Sequence, residues 1–369
     1  MIKKNSQIST AQFMFAIACF MQGSSLLTFA IHETAKQEAW IAVVIGCLIS
    51  LPFIWIYVYL AKKHPGKDFF AINEIVLGRI AGKLFSTLYL FYFFTLVILN
   101  SNILGNFVSG NLLPITPMPV ALALFIFICS WAVCKGVRNM TSYGTLFVII
   151  TVSILLFSSL LLIKDMKFDN LLPIFSLPLK DYLEGAHITA VIPICEMMVF
   201  LMLLPNLQNS GGIGRAFWGG AAIGAATLLF IVLNDTVVLG KVATVVPGPP
   251  YTSKQLINIG NVLTHMEVLY AVMLLMLLFF KISIIMYAFF YGLSRLLNLK
   301  SYRFLVATFG VIFVIFSSTV FTSADEHANW IISGVAPVYL SFFLFVLPAC
   351  TMIVAVIRNF MGKKGVARR

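Results

Sequence analysis

Residues 20–28, Phe20-Met21-Gln22-Gly23-Ser24-Ser25-Leu26-Leu27-Thr28, decide how this chain folds. They stand in the middle of an apolar run, 8–31, of the length at which a helix crosses a hydrocarbon core of about 30 Å. Gly23-Ser24-Ser25 weakens the helix at mid-depth and puts hydroxyl, amide and backbone groups there. Lipid cannot satisfy freed backbone groups, so such an interruption has to line a cavity inside the protein. A counterpart lies in 186–204, at Pro193-Ile194-Cys195-Glu196, where Pro193 removes a backbone donor and Glu196 sets a carboxyl near the middle of the bilayer.

These two runs are the first and sixth of ten, at 8–31, 41–61, 84–104, 118–133, 141–163, 186–204, 216–240, 268–291, 304–320 and 331–357. A β-barrel would alternate in segments of about ten residues, and these runs are too long and too uniformly apolar for that. The expected architecture is an all-α membrane protein of one domain, 1–369. Within it, 8–163 and 186–357 form two inverted five-helix repeats, each opening on a broken helix. In that arrangement the substrate sits between half-helix ends. The plainer alternative is that Gly, Ser and Pro serve only close helix packing.

Composition agrees with a bilayer. Of 369 residues 60% are hydrophobic and 10% are charged, with a mean hydropathy of +1.00, where soluble domains carry roughly 25% charge. That excludes a soluble enzyme, a disordered chain, a collagen-like fibre and a disulfide scaffold. The net charge of +12 raises nucleic acid as a partner, but its distribution answers otherwise. With the spans alternating, one side collects 18 cations, from Lys3 and Lys4 to Arg368 and Arg369, against Asp68 and Glu74 alone. The other side holds six cations and nine acids. Positive loops face the cytoplasm, so both termini are expected there, with no nucleic-acid role. Two links, 62–83 and 241–267, the latter with Pro247-Gly248-Pro249-Pro250, read as interfacial segments.

Three charges fall inside spans: Glu196, Asp235 and Lys281. Lys281 is too deep to snorkel easily, and its burial is costed at about 2.5 to 3.5 kcal/mol on insertion scales. Glu196 and Asp235 are its available counter-charges. Either the ammonium is held for structural pairing, or, with Ser283 and Asp235, it couples ligand binding to conformation by standing where an ion would sit or by exchanging a proton. In the third span Tyr92, Thr95, Asn102, Asn106 and Ser109 share one helical face. That stripe is interhelical glue or a polar cavity wall. The five histidines are scattered, no metal-ligand spacing occurs, and neither a Gly-x-Ser-x-Gly nor a phosphate-binding loop is present, so no enzyme, metal or cofactor is expected.

Several short motifs, in order, resemble the B subunits of spore germinant receptors. They are Gly23-Ser24-Ser25, Glu38-Ala39-Trp40-Ile41, His64-Pro65-Gly66-Lys67, Asn111-Leu112-Leu113-Pro114-Ile115-Thr116-Pro117, Asn170-Leu171-Leu172-Pro173, Pro193-Ile194-Cys195-Glu196, Leu204-Pro205 and Lys281-Ile282-Ser283. The resemblance implies the leucine-transporter-like fold of the amino acid, polyamine and organocation transporter superfamily. It implies a complex with an A-type membrane subunit and a C-type lipoprotein in the inner membrane of an endospore. It also implies a germinant, often an L-amino acid, bound where spans one and six unwind. The ligand-contacting set expected is Gln22, Gly23, Ser24, Ser25, Asn102, Asn106, Pro193, Cys195 and Glu196. Departures from the family pattern are Ser24-Ser25 in place of a second glycine, no proline in Thr28-Phe29-Ala30, Cys195 where glycine is usual, and His265 after Thr264 where Arg is often found. They bear on ligand identity more than on fold. Glu196 favours an amine and the half-helix end after Ser25 favours a carboxylate, which together suit a zwitterion. An active proton-coupled amino acid permease would use the same site, and a scaffold with a dead site would share the fold.

Overall fold

The computed structural model describes residues 7–246, 248–257 and 265–366. Lys3, Lys4, Pro247, Thr264, Arg368 and Arg369 lie outside the described residues, as do the side chains of Lys363 and Lys364. The chain enters α1 (Thr10–Gln22) through a capping box, in which Gln12 N–H donates to Ser9 Oγ at 3.1 Å and Ser9 N–H donates to Gln12 Oε1 at 3.0 Å. A tight turn at Ser25–Leu27 leads into α2 (Thr28–Ala35), and Lys36, at φ 49°, reverses the chain into α3 (Ala39–Lys63). Next come α4 (Phe69–Leu77), α5 (Arg79–Phe107), α6 (Met118–Lys135) with Pro119 in its first turn, and α7 (Val137–Leu161). The second half holds α8 (Leu179–Thr189), α9 (Ile213–Leu239), α10 (Pro249–Gln255) and α11 (Met266–Leu296). It ends with α12 (Arg303–Thr319), α13 (Ala324–Ile332), α14 (Val335–Ser341) and α15 (Leu347–Val366). Among the described residues there is no strand beyond one isolated bridge between Ile8 and Leu207.

Among the described residues, by length and composition, eight helical runs can cross a membrane, or nine if α12 and α13, bent by 83°, form one span. One of the eight, Thr10–Lys63, has 54 residues. At 1.5 Å per residue it would be about 80 Å long if straight, more than twice a hydrocarbon core. The reversal at Lys36 folds it into α1–α2 and α3, the expected first two spans. The last run begins later than expected, at Val335, because Ile331 belongs to α13 on the other side of Gly334, which takes φ 82°.

Burial separates centre from periphery. The apolar window of Leu179–Asn206 is 94% buried in protein, against 28% for α6, whose Leu124, Phe127 and Trp131 are exposed as lipid-facing side chains are. Around the sixth run stand α1, α3 and α11, and α1 also lies against α7 and α9. Gly220 of α9 lets the last pair approach: a Cβ there would come within 2.7 Å of the Met14 carbonyl and of Ile17. The two links read as interfacial also pack on protein. Phe69, Phe70 and Ile72 of α4 are buried against α5 and α15, and α10 is buried against α9 and α11. An amphipathic segment covers neighbouring helices as readily as headgroups, and composition does not distinguish the two.

Candidate functional site

The first interruption is a tightening rather than an opening. Gly23 N–H still donates to Cys19 O at 3.1 Å, Ser24 N–H to Met21 O at 3.0 Å and Leu27 N–H to Ser24 O at 2.9 Å, so the backbone narrows while keeping these bonds. The sixth run does both: a wide turn at Ala190–Ile194, carrying Pro193, is followed by 12 residues of narrow helix, Cys195–Asn206. Narrow helix seldom exceeds three or four residues, and wide turns collect at functional sites. Here every residue from Cys195 to Leu204 is buried, so packing holds the unusual winding. The two interrupted helices are joined at one end, where Ile8 N–H donates to Asn206 O at 2.7 Å and Gln208 N–H to Ile8 O at 2.9 Å.

Lys281 of α11 connects the interruptions. Its Nζ donates to Ser24 Oγ at 2.6 Å and stands 2.6 Å from Glu196 Oε2, an ion-pair distance at an angle outside hydrogen-bond geometry. The same ammonium lies 5.2 Å from the Phe20 ring centroid. Lys281 is fully buried, and Ser24 and Glu196 nearly so. Gly23 makes this approach possible, since a Cβ there would lie 3.1 Å from Leu277 O and from Lys281 Cβ. Further contacts hang from the first interruption. Gln22 Nε2 donates to Thr227 Oγ1 at 3.1 Å, and Tyr270 Oη donates to Ser25 Oγ at 3.3 Å. Around them Gln22 Oε1 and Tyr92 Oη are buried with no protein partner among the described residues, hydrogen-bonding capacity that a polar ligand can use, whereas Ser283 faces Cys129 of α6.

Other expected site residues lie elsewhere. Asp235 does not meet Lys281: Ser253 Oγ donates to its Oδ1 at 2.9 Å, and Lys254 Nζ, buried in α10, donates to Asn234 Oδ1 at 2.9 Å and Ser253 Oγ at 3.0 Å. Asn102 and Asn106 join His327 rather than Glu196, with His327 Nδ1 2.7 Å from Asn102 Oδ1 and Asn106 Nδ2 donating to the same oxygen at 3.0 Å. Along the polar stripe Thr95 Oγ1 and Tyr339 Oη are 2.9 Å apart and Asn102 Nδ2 donates to Ser317 O at 2.9 Å, so these side chains bind α5 to its neighbours. Pro193 and Cys195 are buried in the sixth run, and Cys195 directly precedes Glu196. Lys254, Tyr270 and His327 carry no signal in the sequence, because each owes its place to a contact far along the chain.

Two cavities flank this centre, and neither is lined by Ser24, Glu196 or Lys281. One, of about 540 Å3, touches Leu26, Leu27, Asn106, Tyr251 and His327. The other, of about 400 Å3, touches Pro205 at the end of the sixth run and Asp68, whose Oδ2 accepts from Tyr291 Oη at 3.2 Å and from Arg295. Each cavity reaches one of the interrupted helices from one direction, with the Lys281 junction closed between them.

Comparison with known proteins gives a consistent result. The family described as spore germination protein matches residues 7–325. Spore germination protein KB of Bacillus subtilis is 26% identical over 361 residues, 96% of this chain and 95% of that protein. Spore germination protein YndE of the same organism is 22% identical, over 92% of this chain and 97% of its own length. Among solved structures, Mhp1, a nucleobase-cation-symport-1 family transporter in a closed conformation with bromovinylhydantoin bound, superposes with a TM-score of 0.63 at 15% identity, over 92% of this chain and 79% of that one. A mutant manganese transporter of Eremococcus coleocola gives 0.56 at 12% identity, over 96% and 85%. The fold is therefore that of leucine-transporter-like membrane transporters.

Proposed function

We propose a function from one premise: this chain belongs to the family of spore germination proteins. It acts as a transporter-like germinant sensor, binding a small nutrient at the meeting of its two interrupted helices and passing a change of shape to partner subunits, an A-type membrane protein and a C-type lipoprotein. The observation that carries this reading is the Lys281 ammonium, within 2.6 Å of both Ser24 Oγ and Glu196 Oε2. A zwitterionic amino acid would set its ammonium on Glu196 in place of Lys281, and its carboxylate near Ser24, Ser25 and the start of α2. Displacing Lys281 loosens α11 from both interruptions at once, which converts binding into motion. The excess of cations in one set of loops supports a reading with both termini in the cytoplasm, and the family supports one with the protein in the spore's inner membrane.

Purified protein titrated with a panel of L-amino acids and followed by thermal unfolding tests this. At least one ligand should raise the midpoint, and Glu196→Gln should abolish that rise. No rise with any ligand, or a rise kept in both Glu196→Gln and Gly23→Trp, contradicts it. A second reading, a proton-coupled amino acid permease, draws on the two cavities either side of a closed centre. Accumulation of labelled amino acid in proteoliposomes under a proton gradient selects it.

A further inference from the structure

We propose that the cavity of about 540 Å3 beside α13 is a second ligand site, separate from Glu196, that takes an alkylammonium group. The hydrogen-bond network around His327 sets its chemistry. Asn102 Nδ2 donates to the Ser317 carbonyl at 2.9 Å, an acceptor only, which fixes the orientation of that amide. Asn102 Oδ1, which can only accept, lies 3.0 Å from Asn106 Nδ2 and 2.7 Å from His327 Nδ1. The hydrogen of a neutral His327 must then sit on Nδ1, and the lone pair is left on Nε2. His327 is 4% exposed, lines the cavity, and has no partner for Nε2 among the described residues. Its ring is held against Phe321, with centroids 4.4 Å apart.

Two carboxylates, Glu33 and Asp325, line the same cavity, and no Lys or Arg among the described residues does. Phe107 and Tyr251, in edge contact at 5.4 Å, form an apolar wall. An oriented acceptor, two anions and an apolar wall, in a volume within the usual range for small-molecule sites, suit a short organic ammonium ion and repel an anion of equal size. The site stands whether or not the centre binds an amino acid.

The test compares n-butylammonium, butyrate and butanol at constant ionic strength on the full chain in detergent. Calorimetry is combined with the fluorescence of Trp330, whose ring centre is 6.1 Å from that of His327. Butylammonium should bind saturably, with its Kd raised tenfold or more in His327→Leu and in the double variant Glu33→Gln/Asp325→Asn, and unchanged in Glu196→Gln. Equal binding of butyrate or butanol overturns the proposal. So does a loss confined to Glu196→Gln, which would place the ammonium at the centre and leave the function proposed above intact. If His327→Leu does not fold, the double variant, at two exposed positions, decides alone.

Discussion

Lys281 and Glu196 set the strongest constraint at the scale of single residues. Removing one member of a buried ion pair strands the other charge and costs about 3 to 5 kcal/mol, whereas removing both does not. Lys281→Met should therefore lower the thermal midpoint strongly, and Lys281→Met/Glu196→Gln should recover much of the loss. Glu38, buried in the turn between α2 and α3, is a second such residue. Its carboxylate accepts from Phe175 N–H at 2.6 Å, Ser176 N–H at 3.0 Å, Ser176 Oγ at 2.6 Å and Tyr182 Oη. Burial pushes this carboxyl upward, but the hydrogen bonds from Ser176, Tyr182 and Phe175 together hold it below its ordinary value. A depressed carboxyl stabilises the fold above its unfolded value, and that contribution is lost as pH falls through the folded one. Hydrogen exchange at Phe175 and Ser176 should accelerate on acidification below the ordinary carboxylate range. In Glu38→Gln it should be fast at neutral pH, since one amide oxygen cannot serve the four donors.

Among the helices, the close contact of α1 with α9 rests on Gly220. Gly220→Leu should overpack it, costing about 1 to 3 kcal/mol, read as a lower thermal midpoint without loss of helix content. The positions of both interruptions were legible in the sequence, since Gly23-Ser24-Ser25 and Pro193 stand out from apolar surroundings. Their form was not. An opened helix was expected at both, whereas the structure tightens the first and gives the sixth a wide turn followed by a narrow helix, with buried packing holding the unusual winding. The pairing of Lys281 with Glu196 rather than Asp235 was equally hidden: both acids were available by depth, and only the buried Ser253 and Lys254 of α10 show where Asp235 is engaged. Asn102 and Asn106 had the right face for a central site, but the inward turn of α13 brings His327 to them instead.

For the molecule as a whole, the charge division makes a topological prediction. A reporter active only in the cytoplasm, fused after Arg369, should be active, and one fused at Thr322, in the turn before α13, should be silent; the reverse pattern would invert the protein. The two cavities on either side of the Lys281 junction give the overall account its form: a centre closed by its own lysine, which a ligand must displace. The most direct measurement is the affinity of the best-binding amino acid for the wild type, Lys281→Met and Glu196→Gln. If Lys281 competes with the ligand ammonium for Glu196, Lys281→Met should bind more tightly than the wild type while losing its germination response, and Glu196→Gln should bind more weakly. Equal weakening in both variants would contradict the account, because Lys281 would then be holding the ligand rather than its place.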